Sequence, residues 1–150
     1  MVPAITAATG FLIAVLWFDL MFDVQVWRHR RAQQVPESAL DSIAAYYRRV
    51  TTTASPMGRL VGLTMVVLLG ALVVQAIWGD EPLWVSAVSI PAALFGIGLA
   101  AARIFRQARR LGARKDPPAV QSDLARGILR AHVVCLAAMV TVLVMQLIGA

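Results

Sequence analysis

The sequence predicts an all-α integral membrane protein: a four-transmembrane-helix antiparallel bundle with an extra cytoplasmic amphipathic helix between spans 1 and 2. Three observations carry that prediction. The 150 residues are 59% hydrophobic, with a mean hydropathy of +0.73, too apolar for a soluble domain of this size. Four long apolar segments account for most of the chain. All 14 Lys and Arg residues fall in two stretches, Arg28 to Arg59 and Arg103 to Arg130, whereas the turn between the middle apolar segments carries Asp80 and Glu81. Basic residues flanking a span resist translocation, so this alternation predicts cytoplasmic segments at 28–56 and 104–129 and both termini outside the cytoplasm. The chain reads as a single membrane domain, 1–150.

Span 1 is expected over about 5–27, long enough for a hydrocarbon core of ~30 Å. Pro3 suits a first helical turn, and the helix is expected to continue through Arg31 until Pro36 stops it. The amino terminus lacks the positive region of a secretory signal and its apolar run is too long for one, so a retained first span is expected. Residues 37–53 show amphipathic spacing, with Leu40, Ile43, Tyr47 and Val50 on one face, which predicts a helix at the membrane surface or under the bundle.

Ser55 and Pro56 read as an N-cap and first-turn proline, opening span 2 at 57–78. Gly79-Asp80-Glu81-Pro82 is a tight external turn into span 3, 83–103, where Pro91 marks a kink. The helical pattern is expected to run on past the bilayer to a stop at Gly112. A second break at Lys115-Asp116-Pro117-Pro118 precedes the last helix, which begins near Ala119 or Ser122 and spans 130–148.

The net charge of +6 does not indicate nucleic-acid binding, because it is partitioned by topology rather than gathered on one face. The expected partners are the lipid bilayer and the anionic inner-leaflet headgroups, worth about 1 kcal/mol per basic residue near the surface. Arg outnumbers Lys heavily and Asn is absent, a bias that fits a GC-rich bacterial genome better than any function; the expected location is a bacterial cytoplasmic (inner) membrane. A single cysteine excludes an internal disulfide.

Two carboxylates inside span 1 are the leading candidate site. Asp19 and Asp23 stand four residues apart on one helix face, ~13 Å and ~7 Å inward of Arg28. A carboxylate at that depth costs several kcal/mol unless it is paired, protonated or hydrated. The pair could bind a cation or proton, or be neutralised by Arg59, Arg103 or Arg130 reaching inward. On the last helix, His132, Cys135 and Met139 share a face. Imidazole, thiolate and thioether form a soft-metal set suited to copper or haem iron, although a buried Cys and Met are more commonly core, with His132 pairing to Asp23 or a headgroup. Gln75 and Gln146, near the outer helix ends, are expected to bond across helices. Small residues at Gly58, Gly62 and Gly70, and at Ala92, Gly96 and Ala100, form stripes that permit close packing within one chain or a homo-oligomer.

There is no phosphate-binding glycine loop, no His-Glu-x-x-His and no nucleophile elbow. Small multidrug transporters share four spans and a first-span carboxylate, and membrane-associated glutathione-using enzymes share the length and span count. Both likenesses end at topology, because the loops here are long and basic and span 2 lacks Asn and Glu. Three functions stay open: a transporter or channel-type protein with an intramembrane carboxylate pair binding a cation or proton; a membrane-embedded enzyme or redox carrier acting on a lipid or quinone-like molecule; and a non-catalytic accessory membrane subunit.

Overall fold

The computed structural model describes residues 1–53 and 55–149; the side chains of Thr53 and Ser55 lie outside the described residues, and with them the expected Ser55 cap. The elements are α1 (Val2–Arg28), α2 (Glu37–Arg48), α3 (Ser55–Trp78), α4 (Leu83–Leu99), α5 (Phe105–Ala113) and α6 (Pro118–Ile148), with wide π turns at Arg49–Thr53 and Ala100–Ile104. Among the described residues there is no strand. Four helices, with α4, its π turn and α5 counted as one rod, are long and apolar enough to cross a membrane.

Large apolar side chains cover the outside of these helices. Trp17, Val66, Ile77, Leu83, Phe95 and Leu147 are all at least half exposed. A soluble fold would bury such residues, at roughly 1.5–3 kcal/mol each. Facing outward, they form a surface suited to an apolar solvent.

Among the described residues two larger cores lie inside, beside a smaller cluster of Ala100, Ile104, Ala131 and Cys135. The first joins Ile5 and Leu12 of α1, Leu68 and Leu72 of α3, Ala93 of α4, and Met139 and Val142 of α6. In the second, Leu40 and Ile43 of α2 pack on Val26 of α1, Leu111 of α5, and Leu124 and Ile128 of α6. α2 exists because of this second core: it buries Ala39, Leu40, Ile43, Ala44 and Tyr47, the stripe that its amphipathic spacing predicts. Its first-turn Glu37 complements the helix dipole.

Three local features depart from expectation. α1 stops at Arg28 rather than running through Arg31, because the amides of His29 and Arg30 turn back to the carbonyls of Val26 and Trp27 in i to i−3 bonds. That tighter winding closes the helix, and Arg126 Nη2 then fixes the next stretch by donating to the Ala32 carbonyl at 2.6 Å.

α5 ends at Ala113, one residue past the expected stop at Gly112, and Gly112 has a second role. It lies inside α5, where a Cβ would stand 2.8 Å from the Arg48 amide nitrogen and 3.3 Å from the Tyr47 carbonyl carbon. The missing side chain lets α5 touch the backbone of α2. The chain turns instead at Arg114, in a left-handed conformation (φ 53°, ψ 33°) that costs a non-glycine residue about 1–2 kcal/mol. The Arg114 guanidinium offsets this by pairing with Glu37 and with Asp41, the latter at 2.8 Å.

The small-residue stripes divide. Gly96 packs tightly on α6, where a Cβ would meet Met139 Cε at 3.1 Å and Ala138 Cβ at 3.2 Å. Gly58, Gly62 and Gly70 on α3 have nothing within 4 Å of a Cβ. Gln75 and Gln146 exchange amide hydrogen bonds of 2.9 and 3.1 Å, and Gln146 also donates to Ser89 Oγ at 3.3 Å. This fully buried clamp joins α3, α4 and α6. α4 runs through Pro91 without interruption.

Candidate functional site

At the seam between the two cores, α1, α2 and α6 bring five polar side chains together. The i, i+4 spacing on α1 stacks Asp19 and Asp23 on the face turned to α6. His132 of α6 sits between them: its Nδ1 is 2.7 Å from Asp23 Oδ2, and its Nε2 is 3.6 Å from Asp19 Oδ2. Asp23 is fully buried and His132 nearly so, while the Asp19 side chain keeps 15% of its surface.

Two tyrosines of α2 close the cluster. Tyr46 donates its hydroxyl to Asp19 Oδ1 at 2.7 Å, and Tyr47 donates to Asp23 Oδ1 at 2.8 Å. The Tyr46 ring lies flat on Phe22 of α1, with centroids 4.0 Å apart, which fixes where its hydroxyl can reach. Tyr47 is held from behind, because the backbone at Tyr47 and Arg48 rests on Gly112. Burial, followed by the Asp19 carboxylate, pushes the Tyr46 hydroxyl well above its ordinary range; burial, followed by Asp23, does the same to Tyr47. Both therefore remain donors at neutral pH.

The proton count follows from these contacts. Asp23 accepts from the Tyr47 hydroxyl at Oδ1, and its Oδ2 shares one proton with His132 Nδ1, 2.7 Å away. The other imidazole nitrogen faces Asp19 at ion-pair rather than hydrogen-bond distance. Either it carries a second proton and the imidazolium balances one of the two carboxylates, or it is bare and faces a carboxyl. Both arrangements leave the cluster at net −1 and differ only in which group holds the proton.

A cavity of about 100 Å³ opens beside the cluster. Asp19, Tyr47 and His132 form its polar wall, and Leu16, Met65, Ile97 and Phe105 are among its apolar walls. Both π turns border it, through Val50 and Thr51 on one side and Ala100 and Ile104 on the other. Such turns carry one residue more than the α-helical ladder and recur at functional sites.

The expected site residues are placed as follows. Asp19, Asp23 and His132 converge. Arg59, Arg103 and Arg130 are exposed, and the ion-pair partner of both carboxylates among the described residues is His132. Cys135 and Met139 are buried on the cavity wall below His132, and the Cys135 thiol donates to the Gly96 carbonyl at 3.3 Å. Among the described residues no group of three or more His, Cys, Asp or Glu side chains is disposed to hold a metal.

Tyr46 and Tyr47 are the members that sequence reasoning missed. Tyr47 reads as an ordinary apolar-face residue, and Tyr46 falls on neither face of the amphipathic pattern. The available signal was that the only two tyrosines in the chain are adjacent, and that a buried tyrosine hydroxyl needs a partner. No protein-family model matches the chain, and no curated protein or solved structure matches it.

Proposed function

We propose that the protein is a four-span inner-membrane protein of bacterial type that takes up and releases a proton at its Asp19–His132–Asp23 cluster, as a small transport-type protein. The outward-facing apolar surface supports membrane insertion, and the packing of α3 on α4 across the short turn at 79–82, with α6 on α1 and α4, supports an antiparallel bundle. The confinement of Lys and Arg to two connecting stretches supports a cytoplasmic position for α2 and α5 and an external one for both termini.

One observation carries the functional reading. The counter-group of the two intramembrane carboxylates is an imidazole, not a guanidinium. An arginine partner is permanently charged and makes a fixed structural pair. An imidazole can take up or release a proton while staying in place. With every group ionised, two carboxylates and one imidazolium leave the cluster at net −1. Uptake of one proton makes it neutral, a change worth several kcal/mol in an apolar environment.

Liposomes loaded with a pH-sensitive dye test this. Wild-type protein is expected to conduct or exchange protons, and Asp19→Asn to abolish the flux while leaving insertion intact. Wild-type flux in Asp19→Asn would overturn the reading.

A second reading, a membrane enzyme or carrier acting on a lipid or quinone-like molecule, draws on the small cavity with apolar walls and a polar end. It predicts that such a molecule co-purifies in mild detergent and is lost when Gly96→Val narrows the cavity.

A further inference from the structure

A second concave surface lies on the opposite side of α1 from the cavity. Where α1 ends against α6, Arg30, Arg31, Arg126 and Arg130 surround a recess of about 730 Å³ whose floor is Val26, Leu129, Val133 and Val134. It continues, through the shared Trp27, Leu129 and Val133, into a trough of about 410 Å³ lined by Trp17, Leu20, Met21 and Val24. One end of this groove is cationic and the other offers no charged side chain.

The cationic end is organised rather than merely exposed. Arg126 is fixed by its bond to the Ala32 carbonyl, and its buried Nε has no hydrogen-bond partner among the described residues. The Arg30 guanidinium lies over the Trp27 ring, 5.3 Å from the centroid. Among the described residues the carboxylate that pairs with these guanidinium groups is Asp123, 3.7 Å from Arg126 and 80% exposed. Four guanidinium groups therefore face one solvated acid.

We infer that this groove binds one anionic diacyl phospholipid, with its phosphate among Arg30, Arg31, Arg126 and Arg130 and an acyl chain along the trough beside Trp17 and Trp27. Charge complementarity selects an anionic head, since guanidinium is the side chain best matched to phosphate oxygens. Continuity with an apolar trough selects a lipid over a free anion, which would use the cationic end alone. Basic recesses between helices at the cytoplasmic membrane face are a recurrent headgroup site. The inference rests on the membrane placement proposed above.

The test uses Trp78→Phe/Trp84→Phe protein, which leaves Trp17 and Trp27, both lining the groove, as reporters. It is reconstituted in phosphatidylcholine vesicles containing graded amounts of brominated phosphatidylglycerol or brominated phosphatidylcholine. Half-maximal quenching is expected at an about fivefold lower fraction of the anionic lipid, the factor that roughly one basic residue contributes at an anionic surface. Arg30→Gln/Arg31→Gln/Arg130→Gln should erase the preference, and the charge-matched Arg103→Gln/Arg106→Gln/Arg109→Gln should retain it. Equal quenching by both lipids, or equal loss in both triple variants, overturns the site. If the first triple variant does not incorporate, Arg31→Gln and Arg130→Gln singly should each lower the preference, and no change in either overturns it. Protein that stays in the aqueous fraction on vesicle flotation overturns the membrane placement, whereas incorporated protein without lipid preference overturns the groove alone.

Discussion

His132 Nδ1 and Asp23 Oδ2, 109 residues apart in sequence, meet at 2.7 Å with both side chains almost entirely buried. The contact ties the end of α1 to the middle of α6. His132→Leu leaves Asp23 with Tyr47 as its remaining hydrogen-bond donor. Breaking one side of a buried pair costs about 3–5 kcal/mol, and a loss of that size is expected in denaturant unfolding of detergent-solubilised protein. Adding Asp23→Asn should recover part of it, because no orphaned charge remains. Strictly additive losses would show that the two side chains are not coupled.

Gly112→Ala reverses a common rule. Inside an exposed helix this exchange stabilises by about 1 kcal/mol. Here the new methyl would stand 2.8 Å from the Arg48 amide nitrogen, so a net destabilisation of about 1–3 kcal/mol is expected. The displacement passes to Tyr47, and proton flux should fall along with thermal stability. A stabilised variant would contradict the packing described for α2 and α5.

Gln146→Leu strands the buried amide of Gln75, at a cost of about 1–3 kcal/mol. Replacing both glutamines by Leu removes donors and acceptors together and should return stability close to that of the wild type. Thermal unfolding of the two single variants and the double variant checks this. A double variant as unstable as the sum of the singles would sink it.

The tyrosines predict an alkaline limit. Both hydroxyls are raised above their unfolded value of about 10, so the unfolded chain releases these protons first. Their contribution to stability is complete below pH 10 and declines as pH rises above it. Tyrosinate absorbance should appear together with unfolding rather than before it. Ionisation at an ordinary midpoint in folded protein would place the hydroxyls outside the cluster.

What could be read from the chain alone was whatever depends on spacing along one helix. The apolar runs announced four long helices, the Leu40–Ile43–Tyr47 spacing announced α2, and the positions of Gln75 and Gln146 near the outer helix ends suggested bonds across helices. What escaped depends on approach between helices. Gly112 looks like a terminator until the backbone of α2 is seen against it. Arginines at the span ends look long enough to reach Asp19 and Asp23, yet α2 occupies that ground and delivers two phenols there instead. Helical periodicity gives the angle at which a side chain leaves its axis and says nothing about which neighbour stands opposite.

The wide turn at Ala100–Ile104 has a consequence for the whole rod from Leu83 to Ala113. The rod encloses Ala93 and Gly96 before the turn, Ala100 and Ile104 within it, and Ala108, Leu111 and Gly112 beyond it, and one rod serves both interiors, Ala93 in the first and Leu111 in the second. A turn of this kind holds one residue more than the α ladder, so the segment beyond it sits about 100° away from where an unbroken α-helix of the same length would put it. Excising a single residue there should let the rod close as a continuous α-helix with α5 still seated against α2.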